Sequence, residues 1–118
     1  MTNTKKKDKP EPENKKNWIF LKTNSGKREK VLLQDILSLK AEGDYTIIFT
    51  CKAKYIETCQ LGKMIEILDD PAFLRIHRSN AVNIHKIDFI DGTTVTVTGA
   101  EIPVARNKKG MLKKALGI

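Results

Sequence analysis

One short polar segment, residues 73–83 (FLRIHRSNAVN), holds the side chains best suited to chemistry. Apolar residues on both sides of it can anchor two strand ends. Between them lie five hydrogen-bonding side chains: Arg75, His77, Arg78, Ser79 and Asn80. A loop of this kind on a rigid scaffold suits contacts with phosphates and base edges. The residues alone are equally compatible with a polar turn whose serine and asparagine bond to their own backbone.

A second candidate segment is basic and lies near the C-terminus. The formal net charge of the 118-residue chain is +8, yet residues 17–105 contain equal numbers of basic and acidic side chains. Residues 106–114 have no acidic side chain and include five basic ones: Arg106, Lys108, Lys109, Lys113 and Lys114. A localised basic patch suits a polyanionic partner. A solvated lysine-rich helix is the alternative interpretation.

The sequence lacks the signatures of enzymes and metal sites. It has no P-loop, no dinucleotide-binding glycine motif, no nucleophile elbow and no His-Glu-x-x-His pattern. The arginines that flank His77 disfavour cation binding there, and His85 has no partner at metal-ligand spacing. Cys51 and Cys59 form no metal motif and are interpreted as reduced structural thiols. We therefore predict no catalytic residue, no metal and no cofactor.

The first sixteen residues are expected to form a disordered basic tail, because beyond Met1 they contain no large apolar residue. Residues 17–118 then form one domain, since the chain is too short for two. No apolar run approaches the roughly 20 residues that a membrane span needs, and the N-terminus lacks the apolar stretch of a signal peptide. These features predict a cytoplasmic protein. Met1 and the tail favour a single-domain protein over a fragment of a longer regulator.

Short strands separated by turns dominate the predicted secondary structure. Strands are expected at 18–22, 30–33, 36–41, 46–51, 54–59, 73–77, 81–84, 86–90, 93–98 and 101–104. A helical period predicts a short helix on which one stripe holds Leu61, Met64, Ile65 and Leu68. A C-terminal helix is expected to pack with a face made of Met111, Leu112, Ala115 and Leu116. The pattern predicts a mostly β, antiparallel domain with two short helices, because strands do not alternate with long helices.

The run FLRIHRSNAVNIHKI (73–87) resembles the signature of the LytTR DNA-binding family, in which Arg-x-His-Arg/Asn-Ser leads to Val-Asn and then Ile. Residues 37–46, which include AEGDY at 41–45, are similar to the family's first loop, residues 60–68 to its helix, and residues 102–106 to its closing strand. The resemblance spans residues 18–117. It implies an elongated β-β-β sandwich of short antiparallel sheets with one or two short helices. It also implies that loops enter successive major grooves, that binding bends the DNA, and that two copies occupy direct repeats.

The same resemblance implies a set of DNA-contacting residues: Tyr45, His77, Arg78, Ser79, Asn80, Arg106, Asn107, Lys108 and Lys109. Arg78 and Arg106 fall on the family's contact positions after the histidine and after the last strand. The residues 107–109 are expected to hold the phosphate backbone, and Asp44 to shape the first loop. Ala105 stands where many members have serine, which removes one phosphate hydrogen bond.

The resulting prediction is a bacterial, response-regulator-like transcription regulator without enzymatic activity, with double-stranded DNA as its partner. A second copy on adjacent repeats and an unidentified sensor or regulator protein are further candidate partners. Two alternatives remain open. An RNA-binding or ribosome-associated β module would stack bases on exposed aromatic residues, whereas most aromatic residues here fall in apolar strand patterns and are expected in the core. A protein-interaction domain would dock an acidic partner on the basic end.

Overall fold

Strands are the commonest elements in residues 16–118, the part of the chain that this computed structural model describes. The strands are β1 (Trp18–Lys22), β2 (Arg28–Leu32), β3 (Ile36–Glu42), β4 (Tyr45–Thr50), β5 (Lys54–Glu57), β6 (Phe73–His77), β7 (Asn80–Asn83), β8 (Phe89–Ile90), β9 (Thr94–Val97) and β10 (Ala100–Pro103). The helices are α1 (Leu61–Leu68) and α2 (Lys109–Leu116). The predicted disordered tail lies, apart from its last residue, outside the described residues.

The described strands form three antiparallel sheets. A two-stranded sheet pairs β1 with β2, a five-stranded sheet has the order β5-β4-β3-β7-β6, and a three-stranded sheet has the order β10-β9-β8. Every strand pairing among them is antiparallel. The predicted fold class, mostly β with short antiparallel sheets and two short helices, is therefore confirmed.

The five-stranded sheet is the middle layer, with a hydrophobic core on each face. On one face, Leu39 and Ala81 pack in a core with residues of α1 and of the two-stranded sheet. On the other face, Val82 packs with Val95 of the three-stranded sheet and Leu112 of α2. The neighbours Ala81 and Val82 enter different cores because successive side chains of a strand point to opposite faces.

Helix α1 closes the first core and begins at Leu61, one residue after the predicted start. Leu61, Met64 and Leu68 are buried and Ile65 is half-buried, as the helical spacing predicts. The helix ends at Asp69, whose φ of 49° places it in the left-handed region that commonly terminates helices. Neither helix of residues 16–118 has the length and apolarity that a membrane crossing requires.

Most predicted strands agree with the structure to within two residues at each end, and two predicted elements differ more. The expected strand at 86–90 begins instead with a 3₁₀ helix at Ile84–Lys86, because the Asn83 side chain accepts the backbone N–H of His85 and turns the chain. Only Phe89–Ile90 is strand.

In α2, the predicted packing face was partly wrong. Leu112 is buried and Leu116 is half-buried, but Met111 and Ala115 are exposed. Leu112 and Leu116 are one helical turn apart and face the second core, whereas Met111 and Ala115 lie about 100° away around the helix.

The expectation that most aromatic residues lie in the core was also wrong. Among the described aromatic side chains only Tyr55 and Phe73 are buried. Phe20 is 48% exposed, Tyr45 49% and Phe89 72%. Phe20 and Phe89 belong to the thin outer sheets, each of which has a face without a covering layer, so an apolar strand pattern there does not ensure burial.

The buried side chain of Asn83, at the end of β7, links this strand to β3 through a hydrogen bond. It is 2% exposed, and its Nδ2 donates to the carbonyl oxygen of Ile36 over 2.9 Å. Its Oδ1 accepts the N–H of His85 over 3.0 Å. The side chain thus satisfies one buried acceptor and starts the 3₁₀ helix that follows.

We expect Asn83→Ala to lower the free energy of unfolding by about 2 kcal/mol, because it leaves the carbonyl of Ile36 without its side-chain partner. Urea denaturation followed by circular dichroism measures this. The control is Asn24→Ala at an exposed turn, which should change stability by less than about 0.5 kcal/mol. Equal effects of the two substitutions would contradict the structural role of Asn83.

Candidate nucleic-acid interface

The turn between β6 and β7 is a tight hairpin tip built from the predicted polar segment. His77 pairs with Asn80, which leaves Arg78 and Ser79 at the tip. The backbone N–H of Ser79 donates to Nδ1 of His77 over 3.1 Å. Nη2 of Arg75 donates to the carbonyl oxygen of Arg78. Two side chains of β6 therefore set the conformation of the tip, and the tip exposes Arg78.

The turn between β3 and β4 forms a second tip. Glu42 pairs with Tyr45, so Gly43 and Asp44 make the turn. Gly43 has a φ of 57°, a conformation that glycine adopts without the strain a side chain would bring. Tyr45, the first residue of β4, is half-exposed beside this tip.

The two tips lie at the same end of the five-stranded sheet because β3 pairs with β7. Lys40 stands opposite Asn80. The backbone N–H of Ala41 donates to the carbonyl oxygen of Ser79 over 2.8 Å. The pairing brings together two segments that the sequence separates by more than thirty residues.

The basic C-terminal segment reaches the same region through a backbone hydrogen bond. The N–H of Ala105 donates to the carbonyl oxygen of Ile76 in β6 over 2.7 Å. The chain then forms a 3₁₀ helix at Arg106–Lys108 and continues into α2. Arg106 is exposed, and no ion pair within 4 Å links it to Glu101 or to another described residue.

A surface cavity of about 410 Å³ lies where the β6–β7 tip meets this segment. The residues that line it are Arg75, His77, Arg78, Ala105, Asn107 and Lys108. None of the carboxylates in residues 16–118 lines it. Arginine, lysine and asparagine side chains are hydrogen-bond donors, so the cavity is complementary to an anionic group.

The predicted contact residues do not all share this cavity. His77, Arg78, Asn107 and Lys108 line it, and Ser79 lies at the adjoining tip. Asn80 lines a different groove of about 550 Å³, between the five-stranded sheet and β10.

Lys109 also lies away from the cavity, beside Asp91 in a small cavity next to α2. The N–H groups of Thr93 and Thr94 lower the pKa of Asp91, and the charge of Lys109 acts in the same direction. Lys108 and Lys109, although consecutive, therefore meet different surroundings.

Arg75 is the residue that sequence reasoning named as polar but left out of the contact set. It is half-buried, lines the cavity and bonds to the tip. The signal that could have found it is its position two residues before His77, because alternate residues of a strand lie on the same face.

Comparisons with known proteins identify the same region of sequence. The family model described as the LytTr DNA-binding domain matches residues 26–117. The heme-containing CO-sensing transcriptional regulators RcoM 2 and RcoM 1 of Paraburkholderia xenovorans are each 32% identical to the chain over 95 residues. These matches cover 73% of this chain and 35% of each regulator, so the chain spans about a third of the length of these relatives.

A solved structure has the same fold. The LytTr DNA-binding domain of a Bacillus cereus protein matches with a TM-score of 0.75 and 26% sequence identity. The match covers 87% of this chain and 99% of that domain. Similarity in sequence and similarity in fold therefore indicate the same family.

The bond between Ser79 and His77 leads to a test of the tip's conformation. We expect His77→Leu to remove the acceptor for the Ser79 N–H and to speed amide hydrogen exchange at Ser79 about five- to tenfold, as for the loss of one hydrogen bond. The amide of Asp88, which donates to the backbone carbonyl of Thr96 in the three-stranded sheet over 2.8 Å, is the internal control. Unchanged exchange at Ser79, measured by NMR, would show that His77 does not shape the tip.

Proposed function

The chain belongs to the LytTR DNA-binding domain family, and from this premise we propose that it binds a preferred sequence in duplex DNA as a transcription regulator, with loops in successive major grooves. The family is one of DNA-binding domains of transcription regulators and not one of enzymes. Two copies on direct repeats, DNA bending and an input from an unidentified sensor or regulator protein are part of the proposal.

One observation carries the proposal: the hydrogen bond between Ala105 and Ile76 brings the basic C-terminal segment beside the β6–β7 tip. Exposed arginines from two distant parts of the chain, Arg78 and Arg106, thereby lie near one end of the middle sheet. Duplex DNA is a polyanion that offers both phosphates and base edges, so it matches an arrangement of positive and hydrogen-bonding side chains.

The residues divide into two proposed roles. Arg78 and Arg106 read base edges, because a guanidinium presents a planar fork that matches O6 and N7 of guanine. Arg106 follows directly after the anchored Ala105, so little backbone freedom is lost when it binds.

The other predicted residues position the domain. Asn107, Lys108 and Lys109 contact the phosphate backbone, and Ser79 and Asn80 support the β6–β7 tip with further polar contacts. Tyr45 contributes from the neighbouring tip, while His77 acts on the shape of its own turn. Positioning contacts of this kind fix register on the duplex without discriminating between bases.

The exposed aromatic residues do not favour an RNA-binding sheet. Phe20, Tyr45 and Phe89 belong to three different sheets of the described chain. Trp18 shares one face of the two-stranded sheet with Phe20, but the two rings meet edge to face with centroids 5.5 Å apart, and the ammonium groups of Lys16 and Lys30 lie over the Trp18 ring. This pair therefore does not offer the open, side-by-side ring faces on which successive bases stack. Duplex DNA is thus the better-supported partner.

The proposal is tested by selecting bound duplexes from a random pool and then measuring the affinity of the full chain for a selected and a random duplex across a salt series. We expect the selected duplexes to share a preferred sequence, and to contain two copies of it if two copies of the chain bind. We expect the affinity for random DNA to fall steeply as the salt concentration rises, because that binding depends on phosphate contacts. Equal affinity for the selected and random duplexes would refute sequence-specific binding.

For Arg78→Ala we expect specific affinity to fall by about 1–3 kcal/mol and preference to relax at one base position. Arg28→Ala removes the same charge from an exposed position of β2, in the outer two-stranded sheet, and is the matched control. Binding profiles measured by competition against a base-substituted series decide the question. An Arg78→Ala profile like that of the control would remove Arg78 from the reading surface.

Arg106 and the lysines after it should behave differently. Arg106→Ala should weaken the selected duplex far more than random DNA, with little change in melting temperature, because Arg106 makes no ion pair with the described residues. The double substitution Lys108→Ala and Lys109→Ala should weaken both duplexes about equally and reduce the salt slope by about one to two. If Arg106→Ala lowers the melting temperature and keeps the ratio of specific to random affinity, Arg106 is structural.

A further inference from the structure

The cavity between the β6–β7 tip and the 3₁₀ helix at Arg106–Lys108, here called the Arg75 cleft, contains one basic side chain, that of Arg75, to which the proposed function gives no role. The residues that line it are Arg75, His77, Arg78, Ala105, Asn107 and Lys108. We infer that the Arg75 cleft binds one phosphate group, and that in the DNA complex this group is a single backbone phosphodiester. The inference rests on the proposed function and names the part of the DNA that this site holds.

The charges of the cleft require an anion for their balance. Arg75, Arg78 and Lys108 all line a space of about 410 Å³, and no carboxylate of the described residues does so. Arg75 and Lys108 are half-buried, so water screens their mutual repulsion less than it would screen exposed charges. A phosphate placed among them turns this repulsion into attraction.

The guanidinium of Arg75 is held in place before any ligand arrives. Its Nη2 donates to the carbonyl oxygen of Arg78. Its Nη1 lies beside the first turn of α1, 3.4 Å from the place that a Cβ of residue 62 would take, so the guanidinium packs at contact distance from this turn. A guanidinium has five donor hydrogens, and one bond to a carbonyl leaves others free for phosphate oxygens. Little side-chain entropy is then lost on binding.

The cleft lies between two parts of the chain, each of which carries one of the two arginines proposed to read bases. Arg75 and His77 belong to the β6 strand, whereas Asn107 and Lys108 follow the Ala105 anchor. A phosphate between them contacts both sides. It would therefore fix the tip that carries one reading arginine relative to the segment that carries the other, which is the positioning role that backbone contacts have in DNA complexes.

The first arm of the test uses inorganic phosphate and needs no DNA. Titration of the isotope-labelled full chain, followed by NMR, should give saturable shifts in the amides of Arg78, Asn107 and Lys108. Arg75→Gln should abolish them. Lys114→Gln removes the same charge from an exposed position of α2 and should leave them intact. Shifts that are absent, or that persist in Arg75→Gln, would overturn the inference.

The second arm uses the duplex selected from the random pool, with one phosphate at a time replaced by an uncharged methylphosphonate. One position should weaken wild-type binding about tenfold, as for the loss of one charge-assisted hydrogen bond. In Arg75→Gln the same replacement should lower the affinity by less than about twofold, because the guanidinium that contacts this phosphate is absent from the variant. Lys108→Gln should behave like Arg75→Gln, and it leaves the bond between Arg75 and Arg78 in place.

Together the two arms distinguish free phosphate from a DNA phosphodiester as the ligand of the cleft. They also distinguish failure of this inference from failure of the proposed function. A coupled position is a phosphate whose replacement weakens the wild type but not Arg75→Gln. If phosphate shifts the amide signals and no position is coupled, the cleft binds free phosphate and not the DNA backbone, which contradicts the inference. Selective duplex binding with no coupled position would contradict it as well, while leaving the proposed function intact. If no duplex is selected, the proposed function fails, the backbone assignment fails with it, and the phosphate titration still decides whether the cleft is an anion site.

Discussion

Burial of both faces of the five-stranded sheet is the constraint on which the rest of the structure depends. Ala81 and Val82, neighbours in β7, are both 0% exposed although their side chains point to opposite faces. One face therefore needs α1 and the two-stranded sheet, and the other needs the three-stranded sheet and α2. The outer sheets could not stand alone, because two or three short strands bury too little surface. The layered architecture follows from this double burial.

The edges of the middle sheet then decide where the polar segments meet. Within the sheet, β6 pairs with β7 alone, so the carbonyl of Ile76 on its other side is free to accept the N–H of Ala105. This contact is a single bond and not a continued ladder, which lets the chain turn away into the 3₁₀ helix directly afterwards. The basic segment is thus held at one point and exposed beyond it. That combination suits a surface that must be positioned and still reach a ligand.

The fold also places consecutive basic residues of the C-terminal segment in different electrostatic surroundings. Lys108 lines the Arg75 cleft, where no described carboxylate offsets it, whereas Lys109 lies beside Asp91. Arg75 contributes a charge from a different strand, and its bond to the Arg78 carbonyl ties that charge to the shape of the tip. The electrostatic surface therefore differs from the charge pattern of the sequence, although both are basic at the same end.

The sequence by itself determined the features that depend on neighbouring residues. The boundaries of β1 and β6 agree with prediction, and α1 begins one residue later than predicted, because side-chain period and turn residues act over a few positions. The family resemblance, carried by the run around His77, likewise identified the fold class and the DNA-binding family, and the family model and the solved domain agree with it. The contact roles of the individual residues stay predictions.

Only the tertiary structure decided which side chains meet. Phe20 and Phe89 sit in apolar strand patterns and are nevertheless exposed, since burial depends on whether another layer covers the strand. The strand expected at 86–90 is shortened by the side chain of Asn83, which is itself held by the distant Ile36. Arg75 and Lys108 share a cleft because β6 is an edge strand, and the segment after β10 is hydrogen-bonded to its free side through Ala105 and Ile76. Such contacts join residues far apart in the chain, and no local pattern encodes them, because their geometry depends on how all the layers pack.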